Sequence, residues 1–395
     1  MRRRAGLLGT FLLLAALGAV LQAGCGGSSS TDTADATDRG WSQVLSEARG
    51  QTVNWWMYGG DAATNAFVDD YVSPAAAKLG VTVKRVPVND TVDALNRVVA
   101  ERKAGKSSGG AVDLIWINGE NFVEGKDAGL WRKDWARQLP NSRYVDWSAP
   151  IINRDFQVPV AGQESPWQGA AFVYGYDTSR VSSPPTSFPA LLAWAKAHPG
   201  RFTYPAPPDF TGAAFVRQVI QRLGGVEQGL RFLEALRPYQ WEGGAQYPTS
   251  IDELDQLFAN GQVDFDMSYN ASFLNLGVKA GKFPATVRPF LIGGGALQNT
   301  SYVTIPANAA NAAGAEVVAN LLLDPKLQTA MADPSVLGTP SVLDPARLPA
   351  AAAVALRKPS ARSPFLLSSL GEALTELPAG RGVPIEEAWT QAVLR

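Results

Sequence analysis

The chain of 395 residues contains one cysteine, Cys25, and one histidine, His198. A single cysteine excludes an intrachain disulfide. The histidine lies in Ala-His-Pro-Gly, which is typical of a helix end, and one histidine argues against His-based zinc sites and against Ser-His-Asp or Cys-His catalysis. The formal net charge of −1 gives no support for nucleic acid or another acidic polymer as a partner.

Beyond the N-terminus, the sequence has no apolar run long enough to cross a membrane, no internal repeat and no Walker-type phosphate loop. The N-terminus has a basic segment at residues 2–4 and an apolar run at residues 7–21, followed by Gln22-Ala23-Gly24-Cys25. This junction resembles a bacterial lipobox, although Gln22 stands where leucine is usual. The resemblance implies a signal peptide at residues 1–25, cleavage before Cys25 and a lipid on Cys25. A plain secretory signal is the alternative.

Residues 26–50 are predicted to be a flexible tether and lead-in. From residue 26 to residue 38 the chain contains only Gly, Ser, Thr, Asp and Ala, which cannot bury enough surface to offset the entropy of ordering. The whole sequence is 46% hydrophobic. The chain is long enough to bury a large core and to form two domains or lobes.

A parallel sheet is predicted in the first half of the chain. Strands are expected at residues 52–58, 81–88 and 114–117, with helices at 62–79 and from Asn89 or Asp90 to Lys103. This β-α-β-α-β order is typical of a parallel sheet with right-handed crossovers. The carboxyl ends of such strands share one edge, so Tyr58-Gly59-Gly60-Asp61 and Asn118-Gly119-Glu120-Asn121 are expected to line one crevice.

Further elements follow in a less regular order. Strands are predicted at residues 170–176, 202–204, 263–270 and 303–305, and helices at 188–198, 213–223, 251–260 and 310–323. The third of these helices begins with the capping box Ser250-Ile251-Asp252-Glu253. The segment Pro205–Gly212 contains three prolines, which fix φ and predict a stiff loop around Asp209.

A family resemblance rests on three motifs, at residues 116–122, 202–212 and 265–270, and on the segments 301–306 and 321–328. They resemble the extracellular solute-binding proteins of bacterial ABC importers, and in particular the YnjB-type branch, which is related to thiamine-, polyamine- and iron-binding members. The resemblance implies a two-lobed α/β fold of the type 2 periplasmic-binding class, with mostly parallel central sheets and a hinged cleft. Lobe 1 would comprise residues 51–172 and 297–340, and lobe 2 residues 173–296 and 341–395.

The resemblance also implies how the protein works. A monomer would capture a small molecule reversibly between the lobes, with hinges around residues 172–175 and 299–303. A permease pair driven by an ATPase would then recognise the closed form. No catalysis, cofactor, metal or nucleic acid is expected, and the protein would be held outside the cytoplasmic membrane by its lipid anchor.

The predicted ligand site combines aromatic walls with polar side chains that orient the ligand. Its members are Trp56, Tyr58, Gly60, Asp61, Asn118, Glu120, Asn121, Gln168, Tyr204, Asp209, Phe210, Thr211, Asp266, Ser268, Tyr269, Asn270 and Asn299. Trp55 and Trp56 alternate faces, so one of them is expected to be in the core. Each carboxylate taken singly is equally well read as a helix cap or a solvated charge.

The ligand itself is open at this stage. Four carboxylates (Asp61, Glu120, Asp209 and Asp266) favour a cation such as a thiamine-like compound or an amine, which aromatic faces would also attract. Sugars, which stack on aromatics and bond to carboxylates and amides, are an alternative. A glycosidase that uses Glu120 with Asp209 or Asp266 is a second alternative, and a lipoprotein scaffold without a ligand is a third.

Overall fold

The computed structural model of the protein describes residues 40–357 and 363–395. The predicted signal peptide, Cys25 and the predicted tether as far as residue 39 lie outside the described residues. The α-helices are α1 (Trp41–Ala48), α2 (Ala62–Phe67), α3 (Ser73–Ala77), α4 (Thr91–Lys103), α5 (Gly119–Asp127), α6 (Pro150–Asn153), α7 (Phe188–Ala197), α8 (Phe210–Arg222), α9 (Val226–Leu236), α10 (Ile251–Ala259), α11 (Phe273–Lys279), α12 (Ala312–Leu322), α13 (Pro325–Ala332), α14 (Ala350–Leu356) and α15 (Gly382–Trp389). The strands are β1 (Thr52–Tyr58), β2 (Thr82–Val88), β3 (Leu114–Ile117), β4 (Arg154–Asp155), β5 (Val158–Pro159), β6 (Glu164–Ala171), β7 (Val173–Asp177), β8 (Phe265–Ser268), β9 (Val287–Phe290), β10 (Leu297–Thr304) and β11 (Leu374–Thr375).

Six strands form the larger sheet, in the order β11-β10-β3-β1-β2 with β6 paired to β10. Strand β1 runs parallel to β2 and β3, and β10 runs parallel to β11, whereas β10 is antiparallel to β3 and β6. The predicted α/β fold with a mostly parallel central sheet is therefore confirmed. Strand β3 was predictable because a strand buried on both faces is a continuous apolar run.

The smaller sheet has three strands in the order β8-β7-β9. Both pairings are antiparallel, with Tyr174 opposite Met267 on one side and Phe290 on the other. The expectation that both central sheets are mostly parallel is wrong for this sheet. Apolar alternation locates a strand, but it does not fix the direction in which the strand pairs.

Each sheet has its own hydrophobic core. The large sheet is covered on one face by a cluster that includes Val53, Trp55 and Leu114, and on the other by a cluster that includes Ile115 and Tyr302; together these are the large-sheet core. The small-sheet core contains, among others, Phe172, Tyr174, Phe265, Met267, Phe290 and Leu297.

The chain passes between these cores at identifiable points. Strand β6 ends at Ala171, and the next residue, Phe172, belongs to the small-sheet core. The chain returns through Leu297 at the start of β10, whose carbonyl accepts a hydrogen bond from the Phe172 amide at 2.8 Å. Val342 and Leu343 pack in the large-sheet core. The predicted second lobe includes residues 341–395 and would therefore contain these two residues of the large-sheet core. The division into lobes stays a prediction.

The predicted lead-in is ordered at its end. Residues 41–48 form α1, in which Val44 and Ala48 are buried in the large-sheet core with Trp41 and Leu45 packed beside them. This spacing of apolar side chains gives the helix one buried face. The part of the lead-in at residues 41–48 is therefore a helix packed on the large-sheet core.

Other local predictions need correction. The strand expected at residues 202–204 is absent, and the strand expected at 170–176 is split around Phe172 into β6 and β7. Helix α8 begins at Phe210, three residues earlier than predicted, because Asp209 caps it. Across residues 40–357 and 363–395, none of the helices has the length and apolar character needed to cross a membrane.

Candidate functional site

The turn after β1 is built around a helix cap. The Asp61 carboxylate accepts hydrogen bonds from the amides of Ala63 and Thr64 at 3.0 Å each, at the first turn of α2. Gly60 packs so closely on the Tyr58 phenol that a side chain there would overlap the ring. The predicted site residues Gly60 and Asp61 therefore shape this turn, and Asp61 is a structural cap.

Tyr58 itself is half-buried beside several carboxylates. Burial raises its pKa above the ordinary value, and the charges of Asp209, Asp252 and Asp61 raise it further. Because Asp209 and Asp252 belong to the half of the chain around the small sheet, the end of β1 lies close to that half. The hydroxyl stays protonated at physiological pH and is available as a hydrogen-bond donor.

The turn after β3 connects three strands. The Asn118 side-chain amide donates to the carbonyl of Thr300 on β10 at 2.7 Å. Gly119 has a φ of 60°, and its amide donates to the buried Asp155 carboxylate at 2.6 Å. This positive φ favours glycine. Asn118 therefore fixes the turn that presents the first residues of α5, which include Glu120 and the half-buried Asn121.

Four carboxylates at the meeting of the two halves form what we call the acidic cluster: Asp90, Glu120, Asp209 and Glu386. Burial is the largest cause that raises the pKa of Glu120, with further increases from Glu376 and Asp90 and a decrease from Arg217. Burial and the Glu120 charge likewise raise the pKa of Glu386. The charge of Asp90 thus raises the pKa of each of the other three carboxylates.

Asp209 is both a helix cap and a member of the acidic cluster. Its carboxylate accepts hydrogen bonds from the Thr211 amide at 2.9 Å and the Gly212 amide at 2.8 Å. Burial raises its pKa to about 6, against the lowering effect of the amides of Gly212, Thr211 and Ile251, and the charge of Asp90 raises it further. Thr211 is buried behind this cap, so its predicted contact with a ligand has little exposed surface to support it.

Arg217 is a functional candidate that the sequence analysis missed. It is 4% exposed on α8. Its Nε and Nη2 donate to Glu376 at 2.8 and 3.1 Å. The guanidinium also lies 5.3 Å from the ring centroid of Phe156 and 5.6 Å from that of Phe210. The positive charge is therefore neutralised by Glu376 and enclosed by aromatic faces.

Aromatic side chains line the same region. Phe210 is 44% exposed, and its ring centroid lies 5.1 Å from that of Tyr269. The Tyr269 hydroxyl donates to Glu376. Trp55 is fully buried in the large-sheet core, whereas Trp56 is partly buried. Of this pair, Trp55 is the core residue.

Two predicted site residues lie in the wrong place for ligand contact. Tyr204 is fully buried, and its hydroxyl accepts a hydrogen bond from Trp389 Nε1 at 2.8 Å. Asp266 is fully buried in β8, where burial and the neighbouring Asp255 hold its pKa well above the ordinary value. Neither side chain reaches the surface, so the expectation that Tyr204 forms a wall and that Asp266 supplies charge is corrected.

The residues after β8 act as a turn. The Ser268 hydroxyl accepts from the Asn270 amide at 3.0 Å, and the Asn270 side chain donates to the carbonyl of Leu337 at 3.0 Å. These bonds tie the turn to the segment after α13. The predicted roles of Ser268 and Asn270 in ligand binding stay predictions.

Gln168 and Asn299, two further predicted site residues, are almost fully buried, with 4% and 7% of their surface exposed. The side-chain oxygen of each has no hydrogen-bond partner among the described residues. Burying such a group without a partner is costly. The two amides therefore need a structural or functional explanation.

Comparisons with known proteins identify the family. Residues 24–356 match the model of a family described as bacterial extracellular solute-binding protein. The chain is 40% identical over 326 residues to Protein YnjB of Escherichia coli (strain K12), covering 78% of this chain and 84% of that protein. The chain belongs to the bacterial extracellular solute-binding proteins.

Solved structures of other solute-binding proteins share the fold. A periplasmic thiamin binding protein is 18% identical with a TM-score of 0.61, covering 87% of this chain and 96% of that chain. The periplasmic binding protein AfuA from Actinobacillus pleuropneumoniae, with fructose-6-phosphate bound, is 14% identical with a TM-score of 0.64, covering 87% and 98%. The fold thus accommodates a cation and an anion in different proteins and does not identify the ligand.

Family membership decides between the broad functions left open by the sequence. The protein is a solute-binding component of an ABC transporter rather than an enzyme, which sets aside the glycosidase alternative. The family is extracellular, so this solute-binding protein works outside the cytoplasm. The ligand is the remaining question, and the geometry of the site bears on it.

Within the described parts of the chain, no three His, Cys, Asp or Glu residues form a group that could hold a metal ion.

Proposed function

We propose that this solute-binding protein captures a small cationic solute, of thiamine-like or polyamine-like chemistry, between its two halves. A monomer anchored to the membrane by a lipid on Cys25 would deliver the solute to a permease pair driven by an ATPase. The observation that carries the proposal is the acidic cluster, because its four carboxylates come from both halves of the chain. Asp90 caps α4 and Glu120 lies in the first turn of α5, beside the large sheet, whereas Asp209 caps α8 and Glu386 lies on α15.

The charges around the cluster favour a cation. Arg217 lowers the pKa of Glu120 and of Glu386, but it is paired with Glu376 through two hydrogen bonds, and the charge of Glu376 raises the pKa of Glu120. Burial raises the pKa of Glu120, Asp209 and Glu386, which means that ionising them without a partner is unfavourable. A bound cation would supply that partner, and its attraction is stronger in a gap from which water is excluded.

Exposed aromatic surface adds to this preference. Phe210 presents 44% of its surface beside the acidic cluster, and Tyr58 and Trp56 are partly exposed. A cation over such a ring gains about 0.5–2 kcal/mol. A thiamine-like ring and an aliphatic amine would both profit, so the aromatic residues do not separate these two ligands.

Anions are disfavoured by the same geometry. The helix N-termini of α2 and α8 would attract an anion through their free amides, but Asp61 and Asp209 already accept those hydrogen bonds. An anionic solute would therefore have to displace a carboxylate or bind beside it. A neutral sugar remains the second candidate, because it can stack on Phe210 and bond to Glu120.

Closure would occur where the chain passes between the cores. Residues 171–173 and 290–297 link the two sheets, and ligand binding would favour the closed arrangement by its differential affinity. The parts that move would be the predicted lobes, residues 51–172 with 297–340 and residues 173–296 with 341–395. The packing of Val342 and Leu343 in the large-sheet core supports a lobe 1 that extends beyond residue 340.

The test is a thermal-shift and calorimetric comparison of thiamine, spermidine, glucose and fructose 6-phosphate. A cation at 100 times its Kd should stabilise the protein by about 2.7 kcal/mol, and the anion should give no shift. Glu120→Gln and Glu386→Gln should each weaken cation binding by about tenfold, which corresponds to one lost charged hydrogen bond. Glu227→Gln, at an exposed position, is the control. A shift with glucose alone, or with fructose 6-phosphate, would contradict the proposal.

A further inference from the structure

Three of the buried polar atoms that have no hydrogen-bond partner among the described residues lie on β6, on β10 and on the segment after α13. They are Gln168 Oε1, Asn299 Oδ1 and Thr339 Oγ1. Gln168 lies four residues before Phe172, and Asn299 lies two residues after Leu297; both of these apolar residues belong to the small-sheet core. Thr339 follows the segment that is bonded to Asn270 and Ser272. The three residues therefore lie close to the places where the chain passes between the two cores.

The strand register brings the two amides to one face of the sheet. Gln168 on β6 lies opposite Ser301 on β10, and Asn299 precedes Ser301 by two residues. Side chains two residues apart on a strand share a face, so Gln168 and Asn299 are diagonal neighbours on that face, separated by about 7–8 Å.

Thr339 lies on a segment that is hydrogen-bonded to β6. The carbonyl of Pro340 accepts a hydrogen bond from the Gly169 amide at 2.7 Å, which holds residues 339–340 against β6. A side chain at position 169 would come within 2.8 Å of Pro340 Cβ. Glycine at position 169 thus allows the segment that contains Thr339 to approach β6.

Trp116 lies on the same face of the sheet, one strand beyond β10 from Gln168. Trp116 on β3 pairs with Val303 on β10, and the alternation along β10 places Val303 on the same face as Ser301. The half-buried Trp116 ring meets the fully buried Trp167 ring edge-on, with centroids 5.2 Å apart. A group that enters between Trp116 and the amides would contact an aromatic surface and unbonded oxygens.

We propose that Gln168 and Asn299 bind an amino group of the solute through their side-chain oxygens, with Trp116 as the adjoining wall. The assignment rests on the proposed function, because the acidic cluster selects a cation and the N–H groups of an amine can only donate. An amide can turn either its oxygen or its nitrogen toward a ligand, and an amino group requires the oxygens. The amino group can be aromatic, as in thiamine, or aliphatic, as in a polyamine.

A buried amide of the same fold provides a matched control. Gln328 is fully buried, but its amide is completely bonded: it donates to the carbonyls of Trp167 and Leu322 at 2.6 Å each and accepts from Ser341 Oγ and the Val342 amide. Replacing Gln328 breaks these bonds, whereas the side-chain oxygens of Gln168 and Asn299 have no partner to lose among the described residues. The change in melting temperature should therefore be negative for the Gln328 variant and zero or positive for the Gln168 and Asn299 variants.

The experiment measures the melting temperature of the unliganded full chain and the Kd of thiamine and of spermidine for Gln168→Leu, Asn299→Leu and Gln328→Leu. The first two variants should keep or raise the melting temperature, because an unpartnered polar group is removed. They should raise the Kd of the cation by about tenfold, which is the effect of one lost hydrogen bond. Gln328→Leu should lower the melting temperature and leave the Kd within about twofold, since Gln328 makes no predicted ligand contact.

Each other outcome has a defined meaning. Unchanged Kd in both Gln168→Leu and Asn299→Leu, with a wild type that binds a cation, would overturn this assignment and leave the proposed function standing. A melting temperature lowered as in Gln328→Leu would show that the amides are structural and would also overturn it. Binding of glucose that depends on the two amides would overturn both. The cation whose Kd changes identifies the aromatic or the aliphatic amine as the source of the amino group.

Discussion

Arg217 and Glu376 form a buried bidentate ion pair, with Nε and Nη2 of the arginine 2.8 and 3.1 Å from the two carboxylate oxygens. The partners are 159 residues apart in sequence. Arg217 belongs to α8, and Glu376 directly follows β11. The carbonyl of Glu376 also accepts from the Gln157 side chain at 2.8 Å. This pair therefore fixes the C-terminal segment against both halves of the protein.

Breaking the ion pair from one side should be strongly destabilising. Glu376→Gln leaves the Arg217 charge buried without its partner, and we expect the free energy of unfolding to fall by about 3–5 kcal/mol. The double variant Arg217→Met/Glu376→Leu should recover most of this loss, because it removes both charges. Denaturant unfolding followed by tryptophan fluorescence measures the change.

The control for this prediction is an exposed pair on α9. Arg231 and Glu227 are bonded at 3.0 Å, but their side chains are 63% and 74% exposed. Glu227→Gln should change the free energy of unfolding by less than about 0.5 kcal/mol. Equal effects of Glu376→Gln and Glu227→Gln would show that the buried pair has no special structural role.

Tyr204→Phe tests whether this tyrosine is a core residue or a wall of the ligand site. The variant loses the hydroxyl that accepts from Trp389 Nε1 at 2.8 Å and leaves that buried indole N–H without this acceptor. We expect a loss of about 1–3 kcal/mol in the free energy of unfolding and no change in ligand affinity. Chemical denaturation and calorimetry give the two quantities. Weaker ligand binding with an unchanged free energy of unfolding would restore the interpretation of Tyr204 as a wall of the ligand site.

Much of the fold could be predicted from local pattern. The strands β1 and β3 are apolar runs that end abruptly in polar residues, and α10 begins at the capping box that starts with Ser250. Such signals are contained within a few residues. The antiparallel pairing of β7 with β8 and β9 was not predictable in this way, because it depends on how distant segments meet.

The site was predictable to a smaller extent for the same reason. Glu120 and Phe210 were identified because they follow a strand end or a loop. Arg217 carried a weak signal, a charge inside the otherwise apolar run of α8, but its partner Glu376 lies far away in sequence. Asp266 was misplaced because a polar residue near the end of a strand was taken to face the ligand, whereas its side chain points into the protein.

Cys25→Ser tests the proposed lipid anchor. If the chain is cleaved before Cys25 and a lipid is attached there, the variant should move from the membrane fraction to the soluble extract. Mass spectrometry of the mature N-terminus checks the same point, since the lipid adds to the mass of the wild type only. A wild type that is free of membranes and unmodified at Cys25 would support the plain secretory signal instead.

The raised pKa of Asp209 predicts a pH dependence of stability. Burial raises this pKa from 3.8 to about 6 in the folded protein. Between these two values the folded state binds more protons than the unfolded state, so stability should fall as the pH rises from about 4 to about 6. Above that window both states are ionised at this site, and its contribution becomes constant.

Asp209→Asn isolates the contribution of this residue, because asparagine is also a good helix cap and can still accept from the amides of Thr211 and Gly212. The stability of the wild type relative to the variant should decline from about pH 4 to about pH 6 and then level off. Glu120 and Glu386, whose pKa values are also raised, contribute in the same direction to both proteins and cancel in the difference. The affinity for a cation should increase over the same window in the wild type, as Asp209 ionises, and increase less in the variant. A stability difference that rises with pH would mean that Asp209 is stabilised as a carboxylate, and its proposed place among mutually repelling charges would be wrong.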